Sequence, residues 1–115
     1  MLQIFHNNRC GKSRKCLSML ETSGKEFEII PYLTTPPTAE ELQEVLEKLN
    51  LNPIDLVRQK EKTWIDHFKE NDFTDEELIK IMITNPILIE RPLLISEEKA
   101  IIARDEENII NFLKK

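Results

Sequence analysis

The chain has 115 residues, 40% of them hydrophobic and 32% charged, which suits one compact globular domain spanning residues 1–115 and leaves too little chain for two cores. The net charge of −5 argues against general nucleic-acid binding, and no apolar run is long enough to cross a bilayer or to act as a secretory signal. Cys10 and Cys16 are too few for the disulfide framework of a secreted domain, and His6 and His67 stand at no ligand spacing, so the expectation is a cytoplasmic protein that holds no metal.

The opening Leu2-Gln-Ile-Phe is rich in β-formers and reads as a strand ending near His6. A polar loop runs from Asn7 to Lys12. From Ser13, a natural N-cap, the residues Cys16, Leu17 and Leu20 recur at helical spacing, and Gly24 is suited to end that helix. Phe27–Ile30 reads as a second strand closed by Pro31, and a strand–helix–strand unit of this kind favours parallel pairing.

After the turn Thr34-Thr-Pro-Pro, the pair Thr38 and Glu41 has the spacing of a capping box, and Leu42, Val45, Leu46 and Leu49 make one apolar helical face. Asn52-Pro53 starts a short helix. The polar segment from Arg58 to Asn71 is anchored by Trp64, Ile65 and Phe68. Thr74 and Glu77 form a second capping box ahead of Leu78, Ile81 and Met82, and Asn85-Pro86 breaks that helix. Leu93–Ile95 and Ala100–Ala103, separated by Ser-Glu-Glu-Lys, read as an antiparallel hairpin, and a last helix runs from Asp105 through Ile109, Phe112 and Leu113. The clusters Glu40-Glu41, Asp75-Glu76-Glu77 and Asp105-Glu106-Glu107 each fall in the first turn of a predicted helix. Negative charge is stabilising there, so none of them reads as a catalytic carboxylate. The order is that of an α/β protein with a thioredoxin-like (glutaredoxin-like) core and a helical insertion between its β-α-β and β-β-α halves.

The chemistry concentrates in the first loop. Residues 9 to 15 carry four positive charges and no negative one, while the rest of the chain sums to −9, an arrangement suited to a small anion rather than a polyanion. Cys10 lies within that stretch, after a strand and before a helix, where unpaired backbone N–H groups favour an anion. Arg9, Lys12 and Arg14 add charge of the same sign, and Ser13 offers a hydroxyl. Together these features predict a thiol pKa lowered into the activated range of about 3.5–7.5. A half-buried structural cysteine is the alternative on these residues alone. A phosphatase-type cradle would need arginine at the sixth position after the cysteine, where Cys16 stands. A dithiol motif would need cysteine at the third, where Ser13 stands. Cys16 lies about 9 Å further along a helix, out of ordinary disulfide reach, and reads as a core residue rather than a resolving thiol.

The segment His6-Asn-Asn-Arg-Cys-Gly-Lys-Ser-Arg resembles the glutaredoxin-dependent arsenate reductase family, ArsC, and its Spx relatives, as does Asn85-Pro-Ile-Leu-Ile-Glu-Arg-Pro-Leu-Leu-Ile. The resemblance covers essentially the whole chain, although Asn8 stands where many members have proline. It implies that Cys10 is the nucleophile toward arsenate and that Arg58, Arg91 and Arg104 bind the oxyanion. Surface salt bridges, for instance to Glu61 or Glu90, are the alternative for Arg58 and Arg104. It implies further that His6, with Ser13 and Arg14, tunes the thiolate, and that Pro92 is a cis-proline beside the cysteine. No bound cofactor is implied. Glutathione and glutaredoxin serve as external reductant, arsenate as substrate, and the protein is expected to be a monomer with no nucleic-acid or membrane partner. Two other functions stay open. One is an Spx-like redox-responsive regulator that binds RNA polymerase, although Ser13 replaces the second cysteine of its Cys-x-x-Cys sensor; the other is a thiol reductase of another substrate.

Overall fold

The computed structural model describes residues 1–114, so Lys115 alone of the expected domain lies outside the described residues. The chain divides into two compact units, one made of Met1–Thr35 together with the residues from Arg91 onward, the other of Pro36–Glu90.

The first unit carries the sheet. Strand β1 (Leu2–Phe5) leads through the loop 6–10 into helix α1 (Gly11–Ser23), and β2 (Phe27–Ile30) follows. After the second unit come β3 (Leu93–Ile95), β4 (Ala100–Ile102) and helix α6 (Glu106–Leu113). The strand order is β2-β1-β3-β4, with β1 and β2 parallel and the other two pairs antiparallel. This is the thioredoxin-like arrangement. Gly24 closes α1 in the left-handed region, where the lack of a Cβ removes the steric penalty.

Register decides which residues make the core. Ile4 pairs with Leu94 across β1 and β3, and both are fully buried with Cys16 and Leu20 of α1 and Ile109 and Phe112 of α6. Each such aliphatic side chain contributes about 1.5–3 kcal/mol by leaving water. One residue along, Phe5 points to the other face and stacks on Tyr32, ring centroids 5.8 Å apart. Lys15 and Glu106 form an ion pair of 2.6 Å between α1 and α6.

The second unit is the helical insertion: α2 (Ala39–Leu49), α3 (Pro53–Leu56), α4 (Lys62–His67), α5 (Asp75–Thr84) and a 3-10 turn at Pro86–Leu88. Both expected capping boxes form: Glu41 N–H donates to Thr38 Oγ1 at 3.1 Å and Glu77 N–H to Thr74 Oγ1 at 3.2 Å, with each glutamate returning to its cap's N–H. Trp64, expected as an anchor, is buried and stacks on Phe68 at 5.7 Å. A single β-bridge joins Val57 to Ile89. No helix among the described residues is long and apolar enough to cross a membrane.

Candidate active site

The antiparallel register of β1 and β3, in which Phe5 faces Leu93, sets the end of the first strand beside the start of the third. The loop that follows β1 and the Arg91-Pro92 segment that precedes β3 therefore meet at one end of the sheet. The Arg91–Pro92 peptide bond is cis. Ala103 N–H donates to Pro92 O at 2.9 Å, so Arg104, the next residue, leaves β4 at that same end.

The helix α1 begins three residues earlier than its sequence suggests. Cys10, not Ser13, occupies the N-cap position, with extended backbone (φ −95°, ψ 124°). A turn explains the shift. Cys10 N–H donates to Asn7 O at 3.0 Å, closing the four residues Asn7-Asn8-Arg9-Cys10, and Arg14 N–H donates to Cys10 O at 3.0 Å, the first bond of the helix. Ser13 is carried into the first helical turn, where it is fully buried. Its hydroxyl accepts from Asn7 N–H at 2.9 Å and lies 2.7 Å from His6 Nδ1. The Ser13 side chain is thus spent on the loop, and it is the backbone N–H of Ser13 that favours the thiolate.

Burial pushes the Cys10 thiol up. The backbone N–H of Ser13, the charge of Arg91, the backbone N–H of Lys12 and a hydrogen bond from the Arg91 side chain outweigh it, and the thiol sits below its ordinary value. The cationic side chain that acts on the sulfur is therefore Arg91 from the far end of the sequence, whereas Arg9, Lys12 and Arg14 were expected to supply that charge from the local stretch. Arg14 does other work: its Nη1 donates to Asn8 O at 3.0 Å, and its charge helps lower the pKa of His6.

His6 lies below its ordinary pKa, chiefly because it is part-buried; the Ser13 backbone opposes this, and the charge of Arg14 adds to it. A lowered pKa favours the neutral ring at pH 7, so His6 does not act on the thiolate through positive charge. With its proton on Nε2, the ring accepts from the Ser13 hydroxyl at Nδ1.

Arg91 brings an unspent donor. Its Nε is buried with no hydrogen-bond partner, on the same side chain that reaches Cys10. A buried N–H left unpaired costs about 1–3 kcal/mol. Arg58 belongs to the helical unit, where its guanidinium donates to Ile87 O at 2.9 Å and stands 3.7 Å from Glu61, the salt-bridge partner considered from the sequence. Cys16 is buried, and burial pushes its thiol up to about 11, as suits a core residue. Asn7 is the residue that sequence reading passed over. Its position at the head of a four-residue turn ahead of a helix is the signal that could have singled it out.

The profile of the ArsC family matches residues 5–112. The chain belongs to the ArsC family. Among its relatives, the Escherichia coli protein YfgD, described as uncharacterized, is 37% identical over 114 residues, covering 97% of this chain and 96% of its own. An arsenate reductase of Neisseria meningitidis is 37% identical over 110 residues, covering 94% of each chain. In the solved structure of an arsenate reductase from Vibrio cholerae the match covers 96% of this chain and 95% of that one, at 33% identity and a TM-score of 0.89. The ArsC fold and the cysteine loop thus come together over nearly the full length.

Proposed function

We propose that this ArsC protein is an arsenate reductase in which the Cys10 thiolate is the nucleophile. The observation that carries the reading is the placement of Cys10 at the start of α1, where two backbone amides and Arg91 lower its pKa. Thiolate attack on arsenic expels one arsenate oxygen, which leaves as water, and gives a thiol-bound As(V) adduct. Two electrons then come from external thiols, glutathione and glutaredoxin, which end as a mixed disulfide and leave arsenic as As(III) on the sulfur; water cleaves the S–As bond, freeing arsenite and the Cys10 thiol. No group bound to the protein is needed for these steps.

Arg91 holds the oxyanion through its planar fork, which stays charged at all relevant pH and matches two oxygens of a tetrahedral anion. Arg104 and Arg58 complete the set. For Arg58 this requires exchanging its contact with Glu61 for the substrate. The protein works as a cytoplasmic monomer. The regulator reading is the weaker one, since Ser13 stands where a Cys-x-x-Cys sensor needs its second thiol.

The test is arsenate consumption by the purified protein with glutathione, glutaredoxin and a recycling system. Wild type should turn over and Cys10→Ser should lose all activity. Inactivity of the wild type with an intact fold removes the arsenate assignment.

A further inference from the structure

Besides the bonds of His6 and the first bond of α1, four hydrogen bonds tie down the loop between β1 and α1, and three of them are made by Asn7. Its N–H donates to the buried Ser13 hydroxyl at 2.9 Å, its carbonyl accepts from Cys10 N–H at 3.0 Å, and its side-chain Oδ1 accepts from Arg9 N–H at 3.0 Å. The fourth is the bond from Arg14 to Asn8 O at 3.0 Å. The Oδ1 bond is the only one of the four that depends on which side chain stands at position 7, since the other two contacts of Asn7 are backbone. An asparagine oxygen that takes the N–H two residues on mimics a backbone turn and preorganises the one that encloses it.

We propose that Asn7 is the positioning residue of the cysteine loop: its side chain braces the turn 7–10 from within and so holds Cys10 at the N-cap of α1. Asn7 does not touch the reacting atoms in this role. It acts through the placement of Cys10 at the N-cap of α1, beside the backbone N–H groups of Ser13 and Lys12 that favour its thiolate. Without the Oδ1 acceptor, Arg9 N–H turns to water, the turn loses its internal brace, and the sulfur samples positions away from those amides.

The inference rests on Cys10 reacting as a thiolate, and the two can fail separately. The readout is the pH midpoint of Cys10 alkylation by iodoacetamide, followed by mass spectrometry on the full-length protein, which requires no arsenate turnover. Asn7→Ala should raise the midpoint by about one pH unit, the equivalent of one hydrogen bond to a charged group. Asn7→Ser, whose hydroxyl makes the same turn more weakly, should restore part of the shift while thermal stability stays within that of Asn7→Ala. A midpoint in Asn7→Ala equal to wild type overturns the proposal, as does a shift that Asn7→Ser does not reduce. Should Asn7→Ala fail to fold, Asn7→Ser against wild type decides, with a raised midpoint expected and an unchanged one overturning. A wild-type midpoint at the ordinary thiol value sinks the thiolate reading itself.

Discussion

Arg91 acts on Cys10 from the opposite end of the chain, through its charge and through a hydrogen bond, and both favour the thiolate. Only strand pairing brings the two together: β1 runs into the cysteine loop, and β3 starts one residue after Pro92.

Arg91→Gln removes the charge and the fork at once, and Arg91→Lys keeps the charge alone. The folded pKa of Cys10 is lowered, so both substitutions should move its alkylation midpoint to higher pH, in the order wild type, Lys, Gln. A displacement of about one unit or more is expected for Gln, the scale for an opposite charge lost from beside an ionised group. Arsenate turnover should fall by about two orders of magnitude in Arg91→Gln, as when one donor to a developing anion is removed. An unchanged midpoint in both variants would contradict the electrostatic assignment.

Cys16 should behave in the opposite sense. Burial raises its pKa to about 11, so the folded protein keeps the thiol proton at pH values where the unfolded chain releases it. Above the ordinary thiol value the unfolded state then binds fewer protons, and stability falls as pH rises, until Cys16 ionises in the fold near pH 11. The slope from this one group is at most about 1.4 kcal/mol per pH unit. Urea unfolding of wild type and Cys16→Ala between pH 8.5 and 11 measures it: the wild-type curve should descend more steeply. Equal slopes would mean that Cys16 is not held protonated by the core. Iodoacetamide at neutral pH should likewise modify Cys10 alone in the folded protein.

Asn8 occupies the second position of the turn 7–10, the place that proline favours in the common β-turns. It contributes its carbonyl to Arg14, and proline would keep that carbonyl. Asn8→Pro should therefore stabilise the protein by about 0.4–1 kcal/mol by restricting the unfolded chain. Thermal unfolding reads this directly, and a lowered melting temperature would show that the turn needs a backbone that proline denies.

Much of the fold was legible because its signals are local. Thr38 with Glu41, and Thr74 with Glu77, carry both halves of a capping box within four residues, and both formed. Parallel pairing of β1 with β2 followed from the strand–helix–strand order. The first helix was misplaced at its start because Ser13 outranks cysteine as an N-cap, and only the turn closed by Asn7 decides otherwise. Arg14 and Arg91 mark the same boundary. The charge adjacent in sequence turned to the Asn8 carbonyl, and the one that works on the sulfur came through strand register, which no short window contains.

That register has a further effect. Moving β1 by one residue against β3 would exchange the faces of Ile4 and Phe5, each buried in its own packing, since neighbouring side chains face opposite ways. The same slip would carry the cysteine loop out of alignment with Arg91. One pairing of β1 with β3 therefore sets both the packing of the two sheet faces and the approach of Arg91 to the thiol.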